Sequence, residues 1–225
     1  MPNKFTIAID GPVGSGKGTL GIALARKLKA IYLYTGGMYR ALTLAALKEK
    51  IDFRDEKEVL NLLKRIDINL SISSEGTKVF LGKELVNDRL FLPEVTSAVP
   101  IIAAMPQVRK KMVARQKKMI QDQSAVIEGR DVATDIAPHA DLKIFLTAEL
   151  EVRARRRHQQ HLKKGINKTL EETLADTKER DRQDTERTAS PLIIAKDAFV
   201  VDTTYDTVED TVEKVMVKIK ELGLA

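Results

Sequence analysis

Lys4-Phe5-Thr6-Ile7-Ala8-Ile9-Asp10-Gly11-Pro12-Val13-Gly14-Ser15-Gly16-Lys17-Gly18-Thr19-Leu20 decides the fold of this chain. Phe5, Ile7 and Ile9 alternate with smaller residues, the period of a strand that feeds a sheet. Gly11 to Lys17 fits G-x-x-x-x-G-K, and from Leu20 the apolar residues Leu20, Ala23, Leu24 and Leu28 recur at helical spacing. Strand, glycine loop and helix in that order supply the context that the motif requires. Such a loop closes backbone N–H groups around phosphate oxygens, and the helix start adds partial positive charge. Lys17 adds a full one. Gly11, Pro12, Val13, Gly14, Ser15, Gly16, Lys17, Gly18 and Thr19 are therefore the expected triphosphate-binding set.

Working outward, Ile31–Tyr34 reads as a short strand ending at Thr35-Gly36-Gly37, and Met38–Lys50 returns to helical periodicity. Arg40 falls in the first turn of that helix, where a cation opposes the helix dipole, so a ligand is the expected reason for it. Asp55–Ile66 is a further amphipathic helix. Between residues 67 and 92 the period changes to two, with turns at Ser73-Ser74-Glu75-Gly76 and Gly82-Lys83-Glu84, which predicts a small antiparallel insertion. Pro93 opens a helix that Pro100 and Pro106 are expected to interrupt or bend, and residues 106–121 form a long basic helix.

Ser124–Glu128 is a third parallel strand, ending in Gly129-Arg130-Asp131. Ligands of open α/β sheets bind beyond the carboxyl ends of the strands, which places Arg130 and Asp131 beside the phosphate loop. Strands at 142–146 and 198–202, and helices at 149–164, 169–184 and 207–222, complete the chain. His158 and His161 lie three apart on one helical face, but no third ligand accompanies them and a solvated face is expected.

The chain has 225 residues, 43% hydrophobic and 31% charged, which suits one α/β domain with an insertion. It has no cysteine, so neither a disulfide framework nor a zinc ribbon is possible. No leader fits before the first strand and no apolar run spans a bilayer, so a soluble, cytoplasmic protein without membrane partners is expected. The net charge of +6 suits a nucleic acid or a small polyanion equally. Four tyrosines, six phenylalanines and no tryptophan argue against a single-strand-binding platform, and no nucleic acid partner is expected.

Beyond the loop, the distinctive residues are arginines scattered through the chain, with no obvious catalytic histidine or cysteine. Phosphoryl transfer onto an anion has this requirement: two polyanions must be brought together, and fixed cations do so by position and field. Arginine binds phosphate bidentately and stays charged.

The phosphate loop ending Gly16-Lys17-Gly18-Thr19, then Thr35-Gly36-Gly37-Met38-Tyr39-Arg40, Gly129-Arg130-Asp131, Lys178-Glu179-Arg180-Asp181 and Arg187 with Pro191-Leu192 closely resemble bacterial cytidylate kinases. The order and intervals match over essentially the full chain. The resemblance implies a P-loop NTPase-type five-stranded parallel sheet flanked by helices, in one domain (core 1–66 and 93–225). A monophosphate-binding insert at about 67–92 and a helical lid at about 150–168 complete it. It implies transfer of the γ-phosphate of ATP to CMP and dCMP, more weakly to UMP, in pyrimidine metabolism. Mg²⁺ would accompany ATP, with Thr19 as its protein contact, in a monomer.

By the same resemblance, Thr35, Arg40, Arg130 and Arg180 surround the acceptor, the three arginines holding its phosphate. Asp184 and Arg187 lie around its sugar and phosphates, while Arg109 and Asp131 read the base. Lys17, Arg130, Arg180, Arg153 and Arg157 form the catalytic set, with Arg153, Arg156 and Arg157 closing from the lid onto ATP. The chain departs from the family at Val13 and Pro100, each in place of a serine, and at Glu128, in place of an aspartate. Ala133 stands where the family has a glycine, and Ser97 lies one helical turn before Pro100. Two other readings remain: a P-loop kinase for another small acceptor, such as another nucleotide, dephospho-coenzyme A or shikimate, and a nucleotide-dependent RNA-binding or regulatory module, prompted by the basic helix at 106–121.

Overall fold

The first strand, β1 (Thr6–Asp10), runs through the middle of a five-stranded sheet, and the computed structural model describes residues 4–224 of the chain. Its neighbours are β6 (Ala125–Glu128) and β7 (Leu142–Thr147), with β2 (Ile31–Tyr34) and β8 (Phe199–Asp202) at the edges, in the order β2-β6-β1-β7-β8. All four pairings are parallel. The central strands are buried on both faces and read as apolar runs, as parallel sheets require.

One face is covered by α1 (Lys17–Leu28) and α8 (Val208–Glu221), which pack Leu20, Leu24, Val212, Val215 and Ile219 against Ile7, Ile9 and Ile144. Fully burying each such aliphatic side chain contributes about 1.5–3 kcal/mol. The other face carries Val132, Ala133 and Ile136, from a π-helical turn that follows β6. α6 (Leu150–Lys163) and α7 (Leu170–Glu186) stand together beside the phosphate loop, α7 opening with a Thr169–Glu172 capping box.

Residues 67–92 hold a second sheet, β3 (Ile68–Ser73), β4 (Gly76–Leu81) and β5 (Glu84–Leu85), antiparallel and in sequence order. Its apolar face shares a core with α2 (Gly36–Lys48), α3 (Glu56–Arg65), α4 (Pro93–Ala103) and α5 (Pro106–Ile120), through Ile68, Val79, Met38, Leu42, Leu62, Ile102 and Met112. Thr77 joins the two sheets. Its hydroxyl donates to the Tyr32 carbonyl at 2.6 Å and accepts from the Tyr34 N–H at 3.0 Å, occupying the open edge of β2.

The two prolines behave differently. Pro106 begins α5, at the position where its missing N–H is not needed. Pro100 sits inside α4 without ending it, and its carbonyl still accepts from the Ala104 N–H at 3.0 Å. Pro removes only its own N–H from the ladder, and the buried Val95, Ala98, Val99 and Ile102 hold the helix across that gap.

Candidate functional site

The phosphate loop leaves β1 at Gly11 and returns at Lys17, the first residue of α1. Two of its glycines are dictated by space. A Cβ on Gly11 would lie 2.0 Å from the Leu146 carbonyl oxygen, and one on Gly14 (φ +79°) 2.8 Å from that of Arg153. Lys17 folds back, its Nζ donating to the Pro12 carbonyl at 2.7 Å. Burial first, then the nearby Arg130, lowers its pKa to about 7. Asp10 lies behind it. That carboxylate accepts from the backbone N–H of Val132 at 2.9 Å and of Ala133 at 2.8 Å, tying β1 to the turn after β6. Burial raises its pKa to about 6.

From the loop a trough runs in two directions. One arm is a cavity of about 370 Å³ between Gly14, Gly16 and Thr19 on one side and Arg156, Thr203 and Asp206 on the other. The central cleft, about 520 Å³, is lined by Lys17, Arg40, Glu128, Arg130 and Arg157. It continues into a pocket of about 80 Å³ walled by Thr35, Tyr39, Arg109, Asp131, Arg180 and Arg187. Arg40 and Arg130 line both the cleft and this pocket.

The cleft is rich in unbalanced cations. The Asp184 carboxylate accepts from Arg130 at 2.7 Å and Arg180 at 3.2 Å. Burial opposes ionisation of Asp184, but the two guanidiniums outweigh it and hold its carboxyl below the usual range. Arg40 is fixed by neutral groups, donating to the Tyr34 hydroxyl at 2.9 Å, the Leu90 carbonyl at 2.9 Å and Thr96 Oγ1 at 3.1 Å, with Phe91 beneath its guanidinium. Arg157 has a buried Nε with no partner among the described residues. Its own burial, then Arg40 and Arg180, push its pKa down to about 10. Arg40, Arg130, Arg157 and Arg180 thus line one continuous stretch of the trough, and Asp184 pairs with two of them.

The pocket beyond is the reverse, a tight ion pair. Arg109, from α5, donates to Asp131 Oδ2 and, at 2.7 Å, to the Ala103 carbonyl. Asp131 Oδ1 lies 3.8 Å from Arg187, whose pKa burial, then Arg109, lowers to about 10. Burial opposes the charge of Arg109, but the adjacent Asp131 outweighs it and raises the Arg109 pKa.

The family model for cytidylate kinase matches residues 7–221. Curated relatives described as cytidylate kinases match nearly end to end. That of Oceanobacillus iheyensis is 41% identical over 219 residues, covering 97% of this chain and 95% of the relative. That of Bacillus subtilis is 39% identical, covering 98% and 99%, and that of Geobacillus thermodenitrificans 42%, again covering 98% and 99%. The chain belongs to the cytidylate kinase family.

The structure places the residues expected from the cytidylate kinase resemblance around one trough, with differences at the lid. Arg153 does not face the donor cavity. Its guanidinium donates to the Ala148 carbonyl at 2.8 Å, the Val13 carbonyl at 3.2 Å and Asp181 at 2.6 Å, so it braces the phosphate loop from outside. Arg156 donates to the Thr203 carbonyl at 2.6 Å. Of the three lid arginines, Arg157 alone lines the cleft, as Lys17 does. Asp184, expected around the acceptor's sugar and phosphates, accepts from Arg130 and Arg180. His158 and His161 are half-buried, not on a solvated face, and His161 lines the cleft.

The departures from the cytidylate kinase pattern also have places. Val13 lines the cleft, and its carbonyl accepts from Arg153. Pro100 and Ser97 lie together in the wall beside Arg40, the Ser97 hydroxyl donating to the Glu94 carbonyl at 3.1 Å. Glu128 ends β6 with its carboxylate oxygens 3.5 and 3.7 Å from where a Cβ on Gly18 would lie, and against the Tyr32 hydroxyl. No group of three acidic, histidine or cysteine side chains is placed to cage a metal among the described residues. The exposed Thr19 hydroxyl and the Glu128 carboxylate are hard oxygen donors at the loop mouth. That set fits Mg²⁺, which keeps several waters and takes further ligands from phosphates. No helix among the described residues is long and apolar enough to cross a membrane.

Proposed function

We propose that this chain transfers the γ-phosphate of ATP to CMP, with dCMP accepted and UMP used more weakly. The observation that carries the reading is the set of Arg40, Arg130, Arg157 and Arg180 along one trough, which Lys17 also lines, with too few carboxylates to balance them. Such a cleft stands complete only with a polyanion in it. The loop and the cavity beside Arg156 and Thr203 take the donor. The pocket at Arg109 and Asp131 takes the acceptor base, and Arg40, Arg130 and Arg180 hold its phosphate.

The acceptor's phosphate oxygen is anionic at neutral pH, so attack on the γ-phosphorus needs no general base. The protein supplies position and field. Lys17 and the loop N–H groups fix the donor's phosphates, while Arg157 and Arg130 flank the path between donor and acceptor and stabilise the charge that spreads over the transferring group. Thr19 and Glu128 would hold Mg²⁺, which neutralises the donor phosphates and orients them. Base choice rests on Asp131: a carboxylate accepts from the 4-amino group of cytosine, which uracil lacks.

A coupled assay for ADP release with CMP, dCMP, UMP, AMP and shikimate tests the reading. Turnover is expected in the order CMP and dCMP, then UMP, with AMP inert. Turnover of AMP or shikimate above CMP would overturn it, and so would salt-sensitive RNA binding with no acceptor turned over.

A further inference from the structure

A buried amide on α5 has no part in the scheme above. Gln116 has no solvent exposure, and it follows Arg109 by seven residues, two turns along the same face of the helix, with the buried Met112 between them. Its Nε2 donates to the Thr35 carbonyl at 3.1 Å. Thr35 precedes α2, the helix that carries Tyr39 and Arg40 into the site. The same residue is bound to β6, its N–H and hydroxyl both donating to the Glu128 carbonyl, at 3.2 Å and 2.8 Å. The junction has no slack, since a Cβ on Gly129 would meet Thr35 Oγ1 at 2.6 Å.

We propose that Gln116 is a positioning residue for the acceptor pocket, setting the separation between its Arg109 wall on α5 and its Thr35–Tyr39–Arg40 wall on α2. Gln116 Oε1 is buried and has no hydrogen-bond partner among the described residues. An amide kept only to fill space would be a poor choice, because an unpaired buried carbonyl is costly and an apolar side chain of the same size is not. What the amide supplies is one directed N–H, at the carbonyl where α2 begins. Beside it, α2 and α5 meet through apolar side chains and through the Arg109 guanidinium, 5.4 Å from the Tyr39 ring centre, contacts less directional than a hydrogen bond.

The proposal rests on reading that pocket as the acceptor site, and steady-state kinetics of two variants separates the two claims. Gln116→Met keeps the volume and removes the donor, while Gln116→Asn keeps an amide too short to reach Thr35. Both are expected to raise KM for CMP about tenfold, the scale of one lost buried hydrogen bond, with kcat and KM for ATP unchanged. A packing role predicts another pattern: Gln116→Met silent, Gln116→Asn lower in melting temperature, and KM for CMP unchanged in both. That pattern would overturn the proposal, as would an equal rise in KM for ATP. If one variant fails to fold, the other gives the same reading. Should the wild type prefer an acceptor other than CMP, the function proposed above fails, and a rise confined to KM for that acceptor would still uphold Gln116.

Discussion

At the scale of single residues, Lys17 couples donor binding to pH. In the free protein its pKa is lowered to about 7, by burial first and then by Arg130. A bound triphosphate favours the charged form. Above pH 7, binding must therefore take up a proton, and donor affinity should fall by up to about tenfold per pH unit until the complex itself titrates. Titration calorimetry in two buffers of different ionisation enthalpy would show that uptake at pH 8 and little of it at pH 6; equal heats at pH 8 would contradict the assignment. The stability of the free protein has the opposite sign. The unfolded lysine binds protons up to its ordinary pKa of 10.5, so Lys17 makes the fold more stable as pH rises from about 7.

Asp131 is expected to govern base choice. Asp131→Ala should weaken CMP relative to UMP by about 1.5–3 kcal/mol, one charged hydrogen bond. The substitution also strands Arg109 and will lower stability, but that cost is common to both acceptors and cancels in the ratio of kcat/KM. An unchanged ratio would remove Asp131 from base reading. Both residues stood out in the sequence, Lys17 by its motif and Asp131 by its place at a strand end. Asp10, Gln116 and Thr203 did not. An aspartate that accepts backbone N–H groups 122 and 123 residues away, or a glutamine that meets a carbonyl 81 residues back, leaves no local pattern.

At the scale of elements, the strands and helices were legible because their periods are local and their ends carry glycine, proline or capping residues. All five strands of the main sheet fall where alternation or apolar runs put them, and the irregular period at residues 67–92 did mark a separate antiparallel sheet. Two things escaped. The π-helical turn at Val132–Ile136 has no periodic signal, since its shape is set by the N–H groups it presents to Asp10. Pro100 was expected to disturb α4, and tertiary packing carries the helix through it. How the small sheet meets the edge of β2 was equally hidden, because the side chain of Thr77 makes the hydrogen bonds there. Thr77→Val should leave the Tyr32 carbonyl and the Tyr34 N–H on the β2 edge without partners, at a cost of about 1–3 kcal/mol. Urea unfolding would measure that as a lower midpoint with an unchanged slope. A valine variant as stable as the wild type would mean that water replaces the hydroxyl at that edge.

At the scale of the molecule, the cleft is built against its own stability. Arg40, Arg130, Arg157 and Arg180 line one stretch of the trough, where Asp184 pairs with only two of them, and the lowered pKa of Arg157 records burial and mutual repulsion. A site that must hold the negative charges of two nucleotides has to keep this excess of positive charge while empty. Arg157→Leu is the substitution that exposes the trade, because the arginine lacks a partner for Nε and leucine is apolar. The free variant should melt a few degrees higher than the wild type, a gain of about 1 kcal/mol. Its kcat should fall by about a hundredfold or more, the scale of one lost donor to developing charge. Adding ATP and CMP should then raise the melting temperature of the wild type more than that of the variant, since the ligands relieve a repulsion that the variant no longer has. Thermal melts of both proteins, with and without nucleotides, check all three differences. A variant less stable than the wild type when empty would show that Arg157 is satisfied in the resting fold, and the excess charge would then have to be sought in the other three arginines.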